Sequence, residues 1–238
     1  MIPDFNCDMG EGMGREDEIL PYIRSASIAC GYHAGDMETM RNTILCCMEH
    51  QVRIGAHPSF ADRENFGRQM QSLTERELYE LIIGQLRDLQ EIARTLGADL
   101  QHVKPHGALY NLSAKDAATA RVIATAVMDF DPRLVLFGLS GSLSISEAQK
   151  AGLHTASEVF ADRTYQDDGS LTPRHLAGAL INDPQQAVNQ VLQMIRTGTV
   201  TTVSGNTIPV CAETICIHGD GPNAVELAAA IQQALEKL

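Results

Sequence analysis

Seven short apolar runs alternate with helical segments along almost the whole chain, and this alternation constrains the fold more than any other feature. Strands that alternate with helices in this way are typical of parallel β/α folds. The run over 134–137 is apolar at every position, as expected for a strand that helices cover on both faces. The seven runs predict strands near 3–8, 25–31, 53–57, 101–106, 134–140, 154–161 and 213–218.

The clearest helical segment covers residues 74–96. Thr74 and Glu77 form a capping box at its start, in which each side chain accepts a hydrogen bond from the backbone N–H of the other residue. Apolar side chains then recur with helical period, and only Gln85 interrupts the stripe. Further helices are predicted to begin at Asp36, at Asp183-Pro184 and after Gly221-Pro222.

A chain of 238 residues with seven strands fits an α/β fold of the (β/α)7 barrel type, and we expect one domain over 1–238. A doubly wound open sheet shows the same alternation and is the competing architecture. Chemically reactive residues follow six of the seven strands, whereas an open sheet would concentrate them at one switch point. The pattern therefore favours the barrel.

Net charge and cysteine usage limit the partners and the compartment. The formal net charge of -12 repels phosphate backbones, so nucleic-acid binding is not expected as a main function. No run is long and apolar enough to span a membrane, and the first residues lack the basic and apolar segments of a secretory signal. The six cysteines include no Cys-x-x-Cys pair, which predicts reduced thiols in a cytoplasmic protein.

Polar residues that can carry chemistry stand at or just after the ends of the apolar runs. Because parallel strands present their carboxyl ends at one face of a barrel, we expect these side chains to converge on an active site. They are Asp8, Glu11, His33, Asp36, His57, Lys104, His106, Glu158, Asp162, Arg163, His218 and Asp220. Asp36 and Asp220 also fit a simpler role as helix caps.

The fourth run is unusually basic. Alternation along a strand places His102, Lys104 and His106 on one side of it. Three basic side chains on one face need a ligand or an acidic partner, because lysine is rarely buried without one. Lys104 could stabilise an anionic oxygen or a phosphoryl group, or it could form an internal ion pair with Glu158.

Carboxylates and imidazoles near the other strand ends are candidates for acid–base chemistry or metal binding. Burial at a barrel rim can raise the pKa of Glu158 or Asp162 into a catalytic range, and Asp8 could act as a general base. Asp8 together with His33 and His57 could also hold a divalent metal, although no local His-x-x-x-His spacing supports this set.

Other known motifs are absent, and one loop stands out. The sequence contains no P-loop, no Gly-x-Ser-x-Gly elbow and no dinucleotide fingerprint after the first strand. The loop over 166–170 has turn composition and is long enough, with the residues that follow it, to act as a lid.

These segments resemble the motifs of the LamB/YcsF family, which is also known as the A subunit of 5-oxoprolinase. The resemblance spans residues 4 to 220, and its motifs occur in the same order along the chain. The matching stretches are residues 4–12, 28–36, 54–59, 102–111, 158–163 and 217–220.

The resemblance implies a barrel similar to those of glycoside hydrolases and deacetylases. It also implies ATP-dependent opening of 5-oxo-L-proline to L-glutamate with partner subunits B and C, where the partners could bind the ATP and Mg²⁺ or another divalent metal could assist. Lys104 and His106 would then supply positive charge, Asp8 or Glu158 the base, and His57 or His33 the acid. Asp162 would also be catalytic, and Glu11, Asp36, Arg163, His218 and Asp220 would bind substrate or nucleotide.

Two other hypotheses compete with this one. The first is a stand-alone metal-dependent amide hydrolase or deacetylase, with the metal on Asp8, His33 and His57. The second is a scaffold subunit without catalytic function, which predicts that substitutions at His57, Lys104 and Asp162 leave the activity of a complex intact.

Overall fold

A computed structural model describes residues 2–12, 16–221 and 223–238. In the described residues, seven parallel strands close a barrel in the order β1-β2-β3-β4-β5-β6-β9, and β9 pairs back onto β1. This confirms the predicted barrel and excludes the open sheet. The strands are β1 Asp4–Met9, β2 Ser25–Ala29, β3 Arg53–His57, β4 His102–Val103, β5 Val135–Leu139, β6 His154–Phe160, β7 Thr199–Thr201, β8 Thr207–Pro209 and β9 Thr214–His218.

Helices connect the strands and cover the outside of the barrel. The capping box at Thr74 is present, and Asp36 and Asp183 cap their helices as predicted. Pro222 lies outside the described residues. The helices are α1 Glu16–Ile19, α2 Met37–Glu49, α3 Glu75–Thr95, α4 Gly107–Lys115, α5 Ala117–Phe130, α6 Leu143–Lys150, α7 Pro184–Thr197 and α8 Ala224–Leu235, and a 3₁₀ turn at Leu20–Tyr22 follows α1. None of the helices described is both long and apolar enough to cross a membrane.

Alternation along β1 separates an apolar face from a polar one. Phe5 and Cys7 are fully buried in the apolar core, while Asn6 points into the barrel. The Asn6 amide donates to Glu158 Oε1 at 3.0 Å and to Thr214 Oγ1 at 2.7 Å. The interior of the barrel is therefore polar where it approaches the carboxyl ends of the strands.

Deeper in the barrel, the interior is filled by an imidazole. The His102 ring stacks on Phe137 at a centroid distance of 4.2 Å, and its Nε2 lies 3.1 Å from Ser27 Oγ. A Cβ at Gly55 would lie 2.2 Å from this ring, so only glycine fits there. Burial lowers the pKa of His102 to about 3 and keeps the ring neutral. His102 is thus a neutral ring that fills the space below the site, whereas Lys104 in the same segment is charged.

Two parts of the predicted strand pattern differ from the structure. β4 has only two residues where a strand near 101–106 is predicted, because Pro105 has no N–H for a sheet and α4 begins at Gly107. The antiparallel hairpin of β7 and β8 is an insertion between α7 and the last barrel strand, and the sequence pattern did not predict it.

Candidate active site

The carboxyl ends of the barrel strands open into a cavity of about 690 Å³. Its lining includes side chains from four different strand ends, as the alternation pattern predicted. These are Asp8, Glu11, His57, Lys104, His106 and His218.

Lys104 lies at the centre of the barrel and bridges two carboxylates. Its Nζ is 2.9 Å from Asp8 Oδ1 and 2.8 Å from Glu158 Oε1, and all three side chains are buried. It also donates to Asn6 Oδ1 at 3.3 Å and to Cys216 Sγ at 3.0 Å. The internal ion pair with Glu158 is thus present, and Lys104 still lines the cavity.

Lys104 and the carboxylates around it stabilise one another's charged forms. Burial alone would lower the pKa of Lys104, but Asp8, Cys216 and Glu158 raise it well above its ordinary value. Burial alone would raise the pKa of Asp8, but His57 and Lys104 hold it well below its ordinary value. Lys104 is therefore cationic and Asp8 anionic at neutral pH.

Three imidazoles and one carboxylate form a second cluster beside Lys104, which we call the imidazole cluster: Glu11, His33, His57 and His106. His57 Nε2 lies 2.9 Å from His106 Nδ1. Glu11 Oε1 lies 3.3 Å from His33 Nε2, 3.4 Å from His106 Nδ1 and 4.0 Å from His57 Nε2. The four donor atoms lie within 4.8 Å of one another, a spacing suited to a shared cation.

Backbone carbonyls orient two of these rings. His57 Nδ1 lies 2.6 Å from the carbonyl oxygen of Lys104, and His106 Nε2 lies 2.9 Å from that of Phe66. Because a carbonyl oxygen only accepts hydrogen bonds, each of these nitrogens carries the proton. Burial lowers the pKa of His106 well below its ordinary value and also lowers that of His33.

The loop after β3 closes around the imidazole cluster. Phe66 adopts φ of 57°, which is uncommon for a bulky residue, and thereby presents its carbonyl to His106. The next residue, Gly67, has φ of 64°, and a Cβ there would lie 2.9 Å from both His106 and His33. The backbone at Phe66 and Gly67 is thus shaped to let the two rings approach.

Gln85 of α3 supports the same loop from behind. Its Oε1 accepts from the Ser59 N–H at 2.9 Å, and its Nε2 donates to the Ser59 carbonyl at 2.8 Å. Ser59 Oγ in turn lies 2.9 Å from His33 Nδ1. The polar residue that interrupts the apolar stripe of α3 therefore fixes the backbone beneath the imidazole cluster.

Asp162 and His218 pair on the opposite side of the cavity mouth. His218 Nδ1 and its backbone N–H each lie 2.9 Å from Asp162 Oδ2. Burial alone would raise the pKa of Asp162, but His218 lowers it below its ordinary value. The His218 ring also stacks on Phe160 at 5.6 Å, which holds it against the cavity wall.

The loop after β6 folds over this side of the cavity. Arg163 is buried and donates to the carbonyl of Thr172 at 2.6 Å, so it organises the loop from inside. Burial and the nearby charge of Arg174 lower the pKa of Arg163 to about 10. Residues 166, 168–171 and 173–175 of this loop line the cavity.

The hairpin of β7 and β8 holds this loop in place. Asp167 accepts from Thr202 and Ser204 at 2.5 Å each and from Asn206 at 2.9 Å. All three donors lie in or beside the hairpin turn, so the hairpin, which the sequence pattern did not predict, anchors the loop after β6.

Asp220 joins two cationic side chains at the rim. Its Oδ2 accepts from Arg174 Nη1 at 2.9 Å and from Arg68 Nη2 at 3.2 Å. All three residues line the cavity. The two guanidinium groups could exchange Asp220 for the carboxylate or phosphate of a ligand.

Two predicted assignments differ from the geometry. Asp36 is exposed, does not line the cavity, and accepts from the Thr39 N–H as the cap of α2. Within the expected metal set, Asp8 Oδ2 lies 3.3 Å from His57 Nε2 and Asp8 also pairs with Lys104. The donor group that contains both His33 and His57 includes Glu11 and His106 in place of Asp8.

Some residues of the site were missed by sequence reasoning. Asn6 could have been found, because alternation puts it on the same face of β1 as Asp8. Arg68 and Arg174 lie in loops where no spacing marks them. Phe66 contributes only its carbonyl and an unusual φ, which no residue pattern reveals.

Comparison with known proteins agrees with this architecture. The family model described as the LamB/YcsF family matches residues 3–238. Relatives from Bordetella pertussis and Shouchella clausii, each named as the A subunit of 5-oxoprolinase, are 51% identical over 98% of this chain and are covered over 95% and 94% of their own lengths. The crystal structure of a lactam utilization protein from Thermus thermophilus superposes with a TM-score of 0.92 at 40% identity, covering 100% of this chain and 97% of that one. The chain therefore belongs to the LamB/YcsF family.

Proposed function

We propose that this chain acts as the A subunit of a 5-oxoprolinase, which opens the lactam ring of 5-oxo-L-proline to L-glutamate in a reaction coupled to ATP hydrolysis. The names of its relatives support this substrate. The observation that carries the proposal is Lys104, a cation held between Asp8 and Glu158 at the floor of a cavity large enough for a small lactam.

The chemistry of the substrate defines what the site must supply. A lactam is an amide, and its carbonyl carbon resists attack by water. Transfer of the γ-phosphoryl group of ATP to the carbonyl oxygen would make that carbon a better electrophile. Water could then add to the carbon, and expulsion of the ring nitrogen, which takes up a proton, would leave an acyl phosphate. A second water would hydrolyse this acyl phosphate to glutamate and inorganic phosphate. Such a reaction needs a base, an acid and a nearby cation.

The residues of the cavity match these needs. Asp8 is anionic and can accept the proton of the attacking water, while Lys104 stabilises the negative charge that develops on oxygen. Asp8, once it has taken up that proton, can return it to the ring nitrogen. His218 with Asp162, and Arg174 with Arg68, would contact the substrate carboxylate or the phosphoryl group.

Partner subunits B and C are part of this proposal. The sequence contains no P-loop, so the usual phosphate cradle is missing from this chain. We infer that the partners contribute to ATP binding and activation, and that this chain holds the lactam and its hydrolysis site. A cytoplasmic location fits the need for ATP and the six cysteines, all among the described residues, none of which forms a disulfide.

An ATP-coupled assay tests the function. The chain is incubated with 5-oxo-L-proline and ATP, alone and with subunits B and C, and both glutamate and ADP are measured. We expect glutamate in proportion to ADP only when all three chains are present. No glutamate from the complete complex, with ADP release unaffected by the lactam, would refute the proposal.

A stand-alone metal-dependent amide hydrolase is a second candidate, and the imidazole cluster favours it. It predicts glutamate formation by this chain alone, without ATP, that a chelator abolishes. A scaffold role predicts instead that Lys104 and His57 substitutions leave the complex fully active.

A further inference from the structure

We propose that His57, His106 and Glu11 bind a divalent transition-metal ion, with His33 as a positioning residue behind them. The site differs from the set expected from sequence, and it would exist whichever amide the protein cleaves. The hydrogen bonds of the imidazoles determine which ring nitrogens carry protons and which are free to ligate a metal.

His57 and His106 face each other through nitrogens that lack protons. Each ring donates its proton outward to a backbone carbonyl, so in the neutral rings His57 Nε2 and His106 Nδ1 both present lone pairs. These two atoms are only 2.9 Å apart. Two lone pairs at this distance repel each other unless a cation lies between them.

Carboxylates surround the same point. Glu11 Oε1 lies 3.4 Å from His106 Nδ1, and Asp8 Oδ2 lies 3.3 Å from His57 Nε2. Ligands held about 2.0–2.1 Å from a tetrahedral zinc ion are roughly 3.3 Å apart. The three proposed ligand pairs lie around this value, at 2.9 Å for His57 and His106, 3.4 Å for Glu11 and His106, and 4.0 Å for Glu11 and His57.

Ring geometry decides between His33 and His106 as the second imidazole ligand. The two rings are stacked, with centroids 3.8 Å apart and planes inclined by 5°. Because an imidazole lone pair lies in the plane of its ring, a metal in the plane of one ring would lie out of the plane of the other. His106 is the ring that faces His57, and His57, His106 and Glu11 line the cavity.

His33 then serves to orient Glu11. Its Nε2 lies 3.3 Å from Glu11 Oε1, and its Nδ1 lies 2.9 Å from Ser59 Oγ. A partner of this kind fixes the direction of a ligating carboxylate and typically changes metal affinity by about 10–100-fold.

Two neutral imidazoles and one carboxylate indicate the class of metal. This set suits zinc, cobalt or another first-row transition ion, whereas Mg²⁺ prefers oxygen ligands and keeps much of its water. Three protein ligands leave positions open toward the cavity. A metal there would supply Lewis acidity next to Asp8 and Lys104.

The test is metal binding by the isolated chain, without ATP, lactam or partner subunits. Chelator-treated protein is titrated with Zn²⁺, with Co²⁺ while its visible absorption is recorded, and with Mg²⁺. We expect one equivalent of Zn²⁺ or Co²⁺ to bind, with a Co²⁺ spectrum typical of nitrogen ligands, and no competition from equimolar Mg²⁺. Failure of the wild-type chain to bind either ion stoichiometrically would overturn the site without bearing on the lactam assay.

Variants separate the ligands from the positioning residue. His57→Asn and His106→Asn should weaken Co²⁺ binding at least about a hundredfold and shift its absorption bands. His33→Asn should weaken binding by about 10–100-fold but keep the wild-type band positions, because the ligands are unchanged. His175→Asn, an exposed imidazole on the cavity rim, is the matched control and should bind as the wild type does.

Circular dichroism checks that each variant is folded. If a histidine variant does not fold, Glu11→Gln takes its place, and the same loss of Co²⁺ affinity is expected. Wild-type affinity in both histidine variants, or in the folded Glu11→Gln, would refute the assignment. Shifted bands in His33→Asn would place His33 among the ligands and refute the proposed set.

Discussion

At the scale of single residues, the site depends on charges that neutralise one another out of water. Burial of the Lys104 ammonium group is energetically tolerable only because the carboxylates of Asp8 and Glu158 contact it directly. A buried charge that loses its partner is strongly destabilising, whereas a pair exposed at the surface is worth little. The sequence indicated that Lys104 needs an acidic partner, but the alternation of residues along the strands could not show that it has two such partners.

Replacing Lys104 by methionine should therefore affect both activity and stability. Loss of one oxyanion-stabilising group costs about a hundredfold or more in turnover. Removal of one member of a buried ion pair costs about 3–5 kcal/mol of unfolding free energy. The ATP-coupled assay and urea unfolding measure the two effects. Lys115→Met, at the exposed cavity rim, is the control, and near-normal turnover of a folded Lys104→Met would remove Lys104 from the mechanism.

Asp162 should make the stability of the protein depend on pH in acid. Its pKa in the folded state is lower than in the unfolded chain, because His218 outweighs the effect of burial. The stability that it contributes is therefore fully present above the unfolded-state pKa of about 3.9 and is lost as pH falls through the lower folded-state value.

Urea unfolding of the wild type and of Asp162→Asn between pH 3 and pH 7 checks this linkage. The difference in unfolding free energy between the two proteins should be constant near neutrality and shrink below about pH 4. A difference that grows toward pH 3 would contradict the direction of the pKa shift.

At the scale of elements, local sequence patterns predicted helices and strands correctly, whereas contacts between residues far apart in sequence could not be predicted. The capping box of α3, the caps of α2 and α7 and all seven barrel strands were recognisable because each follows from local chemistry. The β7–β8 hairpin has three-residue strands, too short for alternation to be detected. Gln85 looked like a flaw in the stripe of α3, because its partners in the loop after β3 are remote in sequence.

Gln85 supplies a test at this scale. Gln85→Leu completes the apolar stripe yet leaves the buried Ser59 N–H and carbonyl unpaired, each at a cost of about 1–3 kcal/mol. We expect lower stability in urea unfolding and faster amide hydrogen exchange in the loop after β3. Arg87→Leu, an exposed position on the same helix, should change stability by less than about 0.5 kcal/mol. Equal stability of the two variants would show that Ser59 does not depend on Gln85.

At the scale of the whole molecule, closure of the barrel brings together residues that follow different strands and are far apart in sequence. Six strand ends supply the predicted residues, and the structure brings most of them to one cavity. His33, Glu158 and Asp162 lie behind the lining and contact it. Asp36 is held away from the barrel axis, because its side chain caps a helix. Which carboxylate meets which imidazole was not predictable, since it depends on the rotation of each strand around the closed sheet.

Closure of the sheet also has a consequence for biosynthesis. Asp4 of β1 pairs with Thr214 of β9, which is made 210 residues later. Until β9 has left the ribosome, β1 keeps an open edge, and Lys104 lacks the Cys216 side of its surroundings. The nascent chain thus carries β1 with one edge unpaired through most of translation, a period in which a chaperone that shields strand edges would have its greatest effect on yield.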